Sequence, residues 1–243
     1  MYRKYVPFLL FLFFLYGCNG NKQEEKEDVS VFVDLPQLKA EGEITAVTLY
    51  SSTSYFQYKM QPMGYEYDLI NDFAKSQGLK LNIKVAENPA RLIEMLEAGE
   101  VDVVAYPIPI NNKLKQEVIY CGREDISSQV LIQRANKGDK LLTDVTQLID
   151  KNVYVKPNTK YSERLKNLDE ELGGGIHIQK VENDSIATED LIEMVSLGEI
   201  PYTISDDNTA RLNKTYYWNI NVDLKVSFPQ RSSWVVRKSS PDL

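Results

Sequence analysis

Residues 92–105 read LIEMLEAGEVDVVA, and residues 191–204 nearly repeat them as LIEMVSLGEIPYTI. In each stretch, large apolar residues recur at intervals of three and four, as they do along the buried face of an amphipathic helix. A Gly then precedes a run suited to a strand. Each stretch therefore predicts a corner between a helix and a strand, and two such corners indicate two similar α/β lobes.

The residues around both corners extend the same pattern. Gly64 and Gly78 bound the first predicted helix, Asp144 and Gln147 form a capping box, and Thr188 is the expected N-cap of the last helix. The predicted strands are residues 44–49, 79–86, 101–109, 130–135, 176–181 and 200–207. The predicted helices are residues 66–78, 88–100, 144–152 and 189–199. Residues 153–175 are predicted to form a strand, a loop and a helix, and residues 222–238 an extended segment.

The first eighteen residues predict a lipoprotein signal peptide. Arg3 and Lys4 precede an apolar run, residues 6–16, that is too short for a stable membrane span, and LYGC then resembles a lipobox with Cys18 as the lipidated residue. A plain signal peptide or an uncleaved anchor is the alternative. The acidic, polar segment 19–41 predicts a flexible tether. These features favour a lipid-anchored protein of the cell envelope, most simply in the outer membrane, that faces the periplasm or the cell surface.

Composition excludes several classes of function. The net charge of −7, with 35 acidic and 28 basic residues, disfavours nucleic acid as a partner. The single histidine, His177, is interpreted as an ordinary strand residue, so a zinc site or a His-based catalytic triad is not expected. Cys121 is the only thiol besides Cys18, and no internal disulfide is possible if Cys18 carries lipid. No metal or other cofactor is predicted.

Longer motifs resemble the bacterial extracellular solute-binding proteins of family 3. The resemblance lies in GYEYDLINDFAKSQGLKLNIKV at residues 64–85, in the first corner, and in VYVKPNTKYSERL at residues 153–165. Residues 198–238 more narrowly resemble the N-terminal, non-catalytic domain of the membrane-bound lytic murein transglycosylase F family. The resemblance implies an α/β, two-lobed periplasmic binding protein-like fold of type II with a ligand cleft between the lobes. Lobe one would be residues 42–126 plus 232–243, and lobe two residues 127–231.

The resemblance also implies where a ligand binds. Amino-acid-binding members hold the ligand carboxylate with an Arg after the third strand, where this chain has Leu114, and the ammonium with an Asp that matches Asp206. The Arg and the Asp together form a clamp for an amino acid, and this chain lacks the Arg half of it. A free α-amino acid bound in the usual mode is therefore not expected. Lys160 either meets a ligand carboxylate or is solvated. The candidate ligand-binding residues are Ser52, Ser54, Tyr55, Tyr65, Tyr106, Asn111, Asn158, Thr159, Lys160, Asp206 and Asn208.

Aromatic, amide and hydroxyl groups of this kind suit a peptide or an amino sugar, and muropeptides are the resulting hypothesis. One role is the sensory domain of a lytic transglycosylase whose catalytic domain follows residue 243. Another is a free-standing lipoprotein of an amino-acid or peptide ABC importer. The chain stops before a lobe-one helix of the family, which favours the first role. No Glu-Ser pair of the transglycosylase signature occurs, so no catalysis by this chain is predicted.

Overall fold

The computed structural model describes residues 33–183 and 186–243. The predicted signal peptide, Cys18 and residues 19–32 of the predicted tether lie outside these ranges. None of the helices within these ranges has the length and apolar composition needed to cross a bilayer.

The described residues form twelve strands and six α-helices. In chain order they are α1 (Leu35–Glu41), β1 (Glu43–Leu49), β2 (Phe56–Tyr58), β3 (Gln61–Met63), α2 (Tyr65–Gln77), β4 (Lys80–Ala86), α3 (Pro89–Glu97), β5 (Val103–Pro109), β6 (Val118–Ser127), β7 (Gln129–Arg134), β8 (Asn152–Val155), α4 (Lys160–Glu171), β9 (His177–Lys180), α5 (Thr188–Leu197), β10 (Tyr202–Asp206), α6 (Asp207–Lys214), β11 (Ile220–Asn221) and β12 (Gln230–Arg237). Short 3₁₀ turns lie at Leu114–Gln116 and Val145–Leu148.

Two five-stranded sheets define two lobes. The lobe-one sheet has the order β4-β1-β5-β12-β6, and the lobe-two sheet has the order β11-β7-β10-β8-β9. Strands β2 and β3 form a separate hairpin. The chain crosses between the lobes after β6 and again before β12. The predicted two-lobed α/β fold is therefore confirmed.

The two lobes share one topology. In lobe one, β1 lies between its parallel partners β4 and β5, and α2 and α3 connect them. In lobe two, β8 lies between its parallel partners β9 and β10, connected by α4 and α5. The repeated corners are α3 to β5 and α5 to β10, so they occupy equivalent places. An antiparallel strand, β12 or β7, pairs with the last strand of each unit.

The apolar face of each repeated helix lies in a core. Leu92 and Leu96 of α3 are buried against Val47 and Val104, and Leu191 and Val195 of α5 are buried in the corresponding core of lobe two. Burial of these faces follows from the 3-to-4 spacing and is what fastens each helix to its sheet.

The structure corrects several local predictions. The tether prediction is wrong for residues 35–41, which form α1; Asp34 and Gln37 make a capping box and Leu38 is buried. The helix predicted at 144–152 is only the 3₁₀ turn, although the Asp144–Gln147 capping box is present. The N-cap of α5 is Ala187 rather than Thr188.

The lobe boundaries differ from the predicted ones by a few residues, and His177 lies in a strand as predicted. Because β6 extends through Ser127 and β12 begins at Gln230, the lobe-one sheet includes residues 127 and 230–231, which the sequence assigns to lobe two. His177 is exposed at the start of β9. Strand β6, the hairpin β2–β3 and helix α6 were not anticipated from the sequence.

Candidate functional site

A cleft of about 1000 Å³ lies between the two lobes. Its lobe-one wall comprises the loops after β1 and β4 and the end of β5, and its lobe-two wall comprises the loop between β8 and α4, the start of α5 and the end of β10. These are the carboxyl ends of parallel strands, where open α/β sheets bind ligands. The cleft is therefore the candidate functional site.

The two repeated corners each deliver one residue to this cleft. Tyr106 from β5 and Asp206 at the end of β10 line it from opposite lobes. Burial raises the pKa of the Tyr106 hydroxyl, and the nearby carboxylates of Asp206 and Glu189 raise it further. Tyr106 is therefore a neutral hydroxyl that can donate or accept a hydrogen bond.

The Asp206 carboxylate is the centre of a compact polar group in lobe two. The Lys160 ammonium donates to Asp206 Oδ2 at 2.5 Å, and the Tyr161 hydroxyl donates to the same oxygen at 3.1 Å. Burial raises the pKa of Tyr161 well above its ordinary value, and the charge of Asp206 adds to the effect. The three side chains meet because α4 begins beside the end of β10.

The first turn of α4 is organised by its own capping groups. Thr159 Oγ1 accepts from the Ser162 backbone N–H at 3.3 Å and donates to the Lys156 carbonyl at 2.8 Å. The Ser162 hydroxyl donates to the Thr159 carbonyl at 2.8 Å. Asn158 precedes the cap with a left-handed φ of 57°. Thr159 is thus the N-cap of α4, and this position places Thr159 in the cleft wall.

A bridge between the lobes lies at the rim of the cleft. The backbone N–H and hydroxyl of Ser52, in the loop after β1, donate to Glu189 Oε1 at 3.1 and 2.9 Å. Glu189 lies in the first turn of α5, where a carboxylate is favoured by the helix dipole. These charge-assisted hydrogen bonds hold the two walls together on one side of the cleft.

The structure brings most of the candidate residues together. Seven of them line the cleft: Ser54, Tyr106, Asn111, Asn158, Thr159, Lys160 and Asp206. Leu114 also lines it, at the place where the resemblance implies an Arg. None of the described residues that line the cleft is an arginine.

Four candidates lie outside the cleft lining. Ser52 lies at the rim and makes the interlobe bridge. Tyr55 is buried edge-on against Tyr67 with ring centroids 5.7 Å apart. Tyr65 accepts a hydrogen bond from Arg123 on lobe one at 2.9 Å. Asn208 is exposed on α6. Contrary to expectation, Tyr55, Tyr65 and Asn208 therefore do not line the cleft.

Sequence reasoning missed two residues that shape the site. Tyr161 stands within the VYVKPNTKYSERL motif, so the motif itself was a usable signal. Glu189 follows the expected cap of α5, and an acidic residue in the first turn of a helix that points at the cleft was the available signal. Only the fold reveals that Glu189 meets Ser52, which is 137 residues away along the chain.

A second cavity of about 250 Å³ lies within lobe one, beside α2 and β12. Glu66 faces it and accepts a hydrogen bond from the Trp234 indole N–H at 2.6 Å. Burial raises the pKa of Glu66 to about 7, the nearby Asp125 adds to the rise, and the Trp234 bond and Arg123 oppose it. Cys121, a free thiol at this cavity, has its pKa raised to about 11 by burial.

The Glu66 carboxyl predicts a pH-dependent stability. Its pKa is 4.5 in the unfolded chain and about 7 in the folded protein, so between these values only the folded state holds the proton. The free energy of unfolding should therefore fall by up to about 3 kcal/mol as pH rises through this window. Glu66→Gln, which keeps an acceptor for Trp234, should lose that contribution to the slope and be more stable than wild type at pH 8. Urea unfolding at pH 5 and pH 8 measures this, and an unchanged difference between the two pH values would contradict it.

The similarity to known proteins extends over both lobes. The model of the bacterial extracellular solute-binding proteins, family 3, matches residues 44–243, which include both lobes and the cleft. The chain belongs to this family. In a solute-binding protein of family 3, the cleft between the lobes is the expected binding site for a small-molecule solute. Within the described residues, no group of three or more His, Cys, Asp or Glu could hold a metal ion.

Several curated relatives of this family 3 protein carry the same name. The membrane-bound lytic murein transglycosylase F of Desulfosudis oleivorans is 31% identical over 211 residues, which cover 85% of this chain and 44% of the relative. The protein of that name from Stutzerimonas stutzeri is 28% identical over 211 residues, or 86% of this chain and 42% of the relative. The predicted resemblance is confirmed, and the chain spans less than half the length of the curated relatives it matches.

Solved structures show the same fold. A mutant of the arginine-binding protein ArgBP from T. maritima matches with a TM-score of 0.71 and 20% identity, over 86% of this chain and 87% of that chain. The substrate-binding protein of an amino acid ABC transporter matches with a TM-score of 0.65 and 21% identity, over 81% and 86%. At these identities the similarity shows only that this family 3 protein shares their fold.

Proposed function

We propose that this chain is the sensory, ligand-binding part of a lytic murein transglycosylase F-like protein of the cell envelope, and that its cleft binds a muropeptide. The observation that carries the proposal is the cleft itself. Its volume of about 1000 Å³ is larger than a single amino acid requires, and Leu114 stands where an amino-acid clamp would need a cation. The predicted lipid on Cys18 and an outer-membrane location belong to the same proposal.

The lining of the cleft matches the chemistry of a sugar-linked peptide. The rings of Tyr50 and Tyr106 offer platforms, and hydroxyl and amide groups on both walls offer hydrogen bonds to peptide and N-acetyl groups. Lys156, Lys166 and Lys180 line the lobe-two side and can attract the carboxylates of a peptide. These lining residues include no Arg, which distinguishes the cleft from an amino-acid clamp.

The two-lobed design couples binding to shape. A solute that contacts both walls binds the closed arrangement more tightly than an open one, and it shifts the population by that difference in affinity. The bridge from Ser52 to Glu189 joins the same two walls and lowers the cost of closure. In the proposed role, closure is the signal that reaches a transglycosylase domain, and no bond of the solute is broken by this chain.

A thermal-shift screen tests the proposal. The purified chain is heated with N-acetylmuramyl-L-alanyl-D-isoglutamine, with short peptides and with the common amino acids, each at the same concentration. A ligand present at 100 times its Kd should add about 2.7 kcal/mol to the free energy of unfolding and raise Tm. We expect the muropeptide to give the largest rise. A rise with free amino acids and none with the muropeptide would contradict the proposal and favour the ABC importer role.

A further inference from the structure

The carboxylate of Asp206 already has a cation bound to it. Lys160 Nζ lies 2.5 Å from Asp206 Oδ2, and only 20% of the Lys160 side chain and 18% of the Asp206 side chain are exposed. The Tyr161 hydroxyl is a second donor to the same oxygen. An ion pair so largely withdrawn from water, with a supporting hydrogen bond, neutralises Asp206 before any ligand arrives.

This pair is a fixed part of lobe two. Lys160 is the first residue of α4 and Asp206 is the last residue of β10, so both belong to the same lobe. The capping box of Thr159 and Ser162 holds the first turn of α4, and the buried ring of Tyr161 anchors it. The pair therefore does not depend on closure of the cleft or on contacts with lobe one.

The remaining carboxylates of the cleft do not replace Asp206 as a buried site for an ammonium group. Glu189 already accepts two hydrogen bonds from Ser52. Glu87 and Glu163 line the cleft but are exposed to solvent, where water and salt screen their charge. A ligand ammonium that enters the centre of the cleft would meet the like charge of Lys160 and find its counter-ion occupied.

We propose that Lys160 determines the specificity of the cleft: its ammonium fills the place beside Asp206, so the cleft accepts solutes whose nitrogen is acylated and rejects the same solutes with a free α-ammonium. This inference rests on the proposed function and deepens it. In a muropeptide, the first amino acid is joined to muramic acid through an amide, so it carries no α-ammonium. Amide groups can still accept and donate hydrogen bonds at the neutral pair.

Two dipeptides that differ only at this nitrogen test the inference. Calorimetry is carried out with N-acetyl-L-alanyl-D-isoglutamine and with L-alanyl-D-isoglutamine. The wild-type chain should bind the acetylated form about tenfold more tightly, a difference of about 1.4 kcal/mol. Lys160→Met keeps the apolar length of the side chain and removes the charge, so Asp206 becomes available. The variant should bind the free dipeptide about tenfold more tightly than wild type does.

Matched variants separate charge from general damage. Lys166→Met removes another cleft lysine of α4, which makes an exposed ion pair with Glu170 at 3.9 Å. Both dipeptides carry the same carboxylates, so this variant should lower their affinities to the same extent and leave the preference between them unchanged. Lys160→Gln, whose amide can still donate to Asp206, should behave like Lys160→Met and guards against misfolding of the first variant. Adding Asp206→Asn to either variant should abolish the gained binding of the free dipeptide.

The possible outcomes are distinct. If neither folded variant at Lys160 gains affinity for the free dipeptide, the inference is overturned. If the wild-type chain binds neither dipeptide nor the muropeptide, the proposed function fails, while a gain in the Lys160 variants that depends on Asp206 still supports the role of Lys160. A wild-type chain that prefers the free dipeptide would contradict the inference directly.

Discussion

Replacing Arg237 with Met is expected to lower the free energy of unfolding by about 4 kcal/mol. Arg237 is a buried residue near the end of β12, and its guanidinium donates to the Leu96 carbonyl at 3.3 Å, to the Val101 carbonyl and to Asp102 Oδ1 at 3.2 Å. These acceptors belong to the first repeated corner, between α3 and β5. Met would fill much of the volume but would leave a poorly solvated carboxylate and two carbonyls without this donor.

The cost is large because Asp102 cannot move away from the site. Its other oxygen, Oδ2, accepts from the Thr45 backbone N–H of β1 at 2.9 Å, so the carboxylate connects β1 with β12. Burying one charge after its partner is removed costs far more than the intact pair contributes. Equilibrium urea unfolding, followed by circular dichroism, measures the effect through the shift in midpoint.

Arg231→Met is the matched control on the same strand. Arg231 pairs with Glu124 at 2.5 Å, but 58% of the Arg231 side chain and 44% of the Glu124 side chain are exposed. Exposed pairs of this kind contribute about 1 kcal/mol or less. A loss at Arg237 no greater than the loss at Arg231 would show that the buried network does not hold the corner.

The parts of the fold that could be predicted were those written in local patterns. Both repeated corners follow from apolar spacing within fourteen or so residues, and the structure places them equivalently in the two lobes. Helix α1 was missed because its segment is mostly polar; Leu38 is buried in the lobe-one core and Leu35 packs against the same cluster, so burial at these two positions outweighed composition. Strand β6 was missed because three consecutive charged residues, Arg123 to Asp125, interrupt any alternation of apolar and polar residues.

The candidate site could be located but not assembled from the sequence. Candidates after the strands β1, β5, β8 and β10 reach the cleft because topology alone brings those strand ends together. The contacts between them could not be read in advance. Lys160 and Asp206 were both candidates, yet the hydrogen bond between them depends on how α4 starts relative to β10. Tyr65 was misplaced for a related reason, because the first turn of α2 directs its hydroxyl to Arg123.

Replacing Gly64 with Ala is expected to lower the free energy of unfolding by about 4 kcal/mol, through backbone strain and overpacking together. Gly64 precedes α2 with φ 135° and ψ 149°, a conformation that is essentially restricted to glycine. A Cβ atom there would come within 2.7 Å of the Ser54 carbonyl carbon and 2.9 Å of Tyr55 Cα. Both obstacles are backbone atoms, so a change of side-chain rotamer cannot relieve the overlap.

Gly78→Ala provides the control at the other end of the same helix. Gly78 also has a positive φ, 73°, but an added Cβ would meet nothing within 4 Å. Its replacement should therefore cost only the left-handed strain, about 1 kcal/mol. Thermal and urea unfolding of both variants compare a crowded glycine with an open one, and equal losses would contradict the role assigned to the close approach at Gly64.

The consequences of Gly64→Ala should extend to the cleft, because the loop that crowds Gly64 also caps α2. The backbone N–H groups of Tyr65 and Tyr67 donate to the carbonyls of Thr53 and Ser54 at 2.8 and 3.1 Å, and no side chain caps this helix. Thr53 and Ser54 line the cleft. Displacing their backbone should therefore speed amide hydrogen exchange at Tyr65 and Tyr67 and weaken muropeptide binding, whereas Gly78→Ala should leave both unchanged. Normal exchange at these two amides, despite a large loss of stability, would show that the strain is relieved elsewhere.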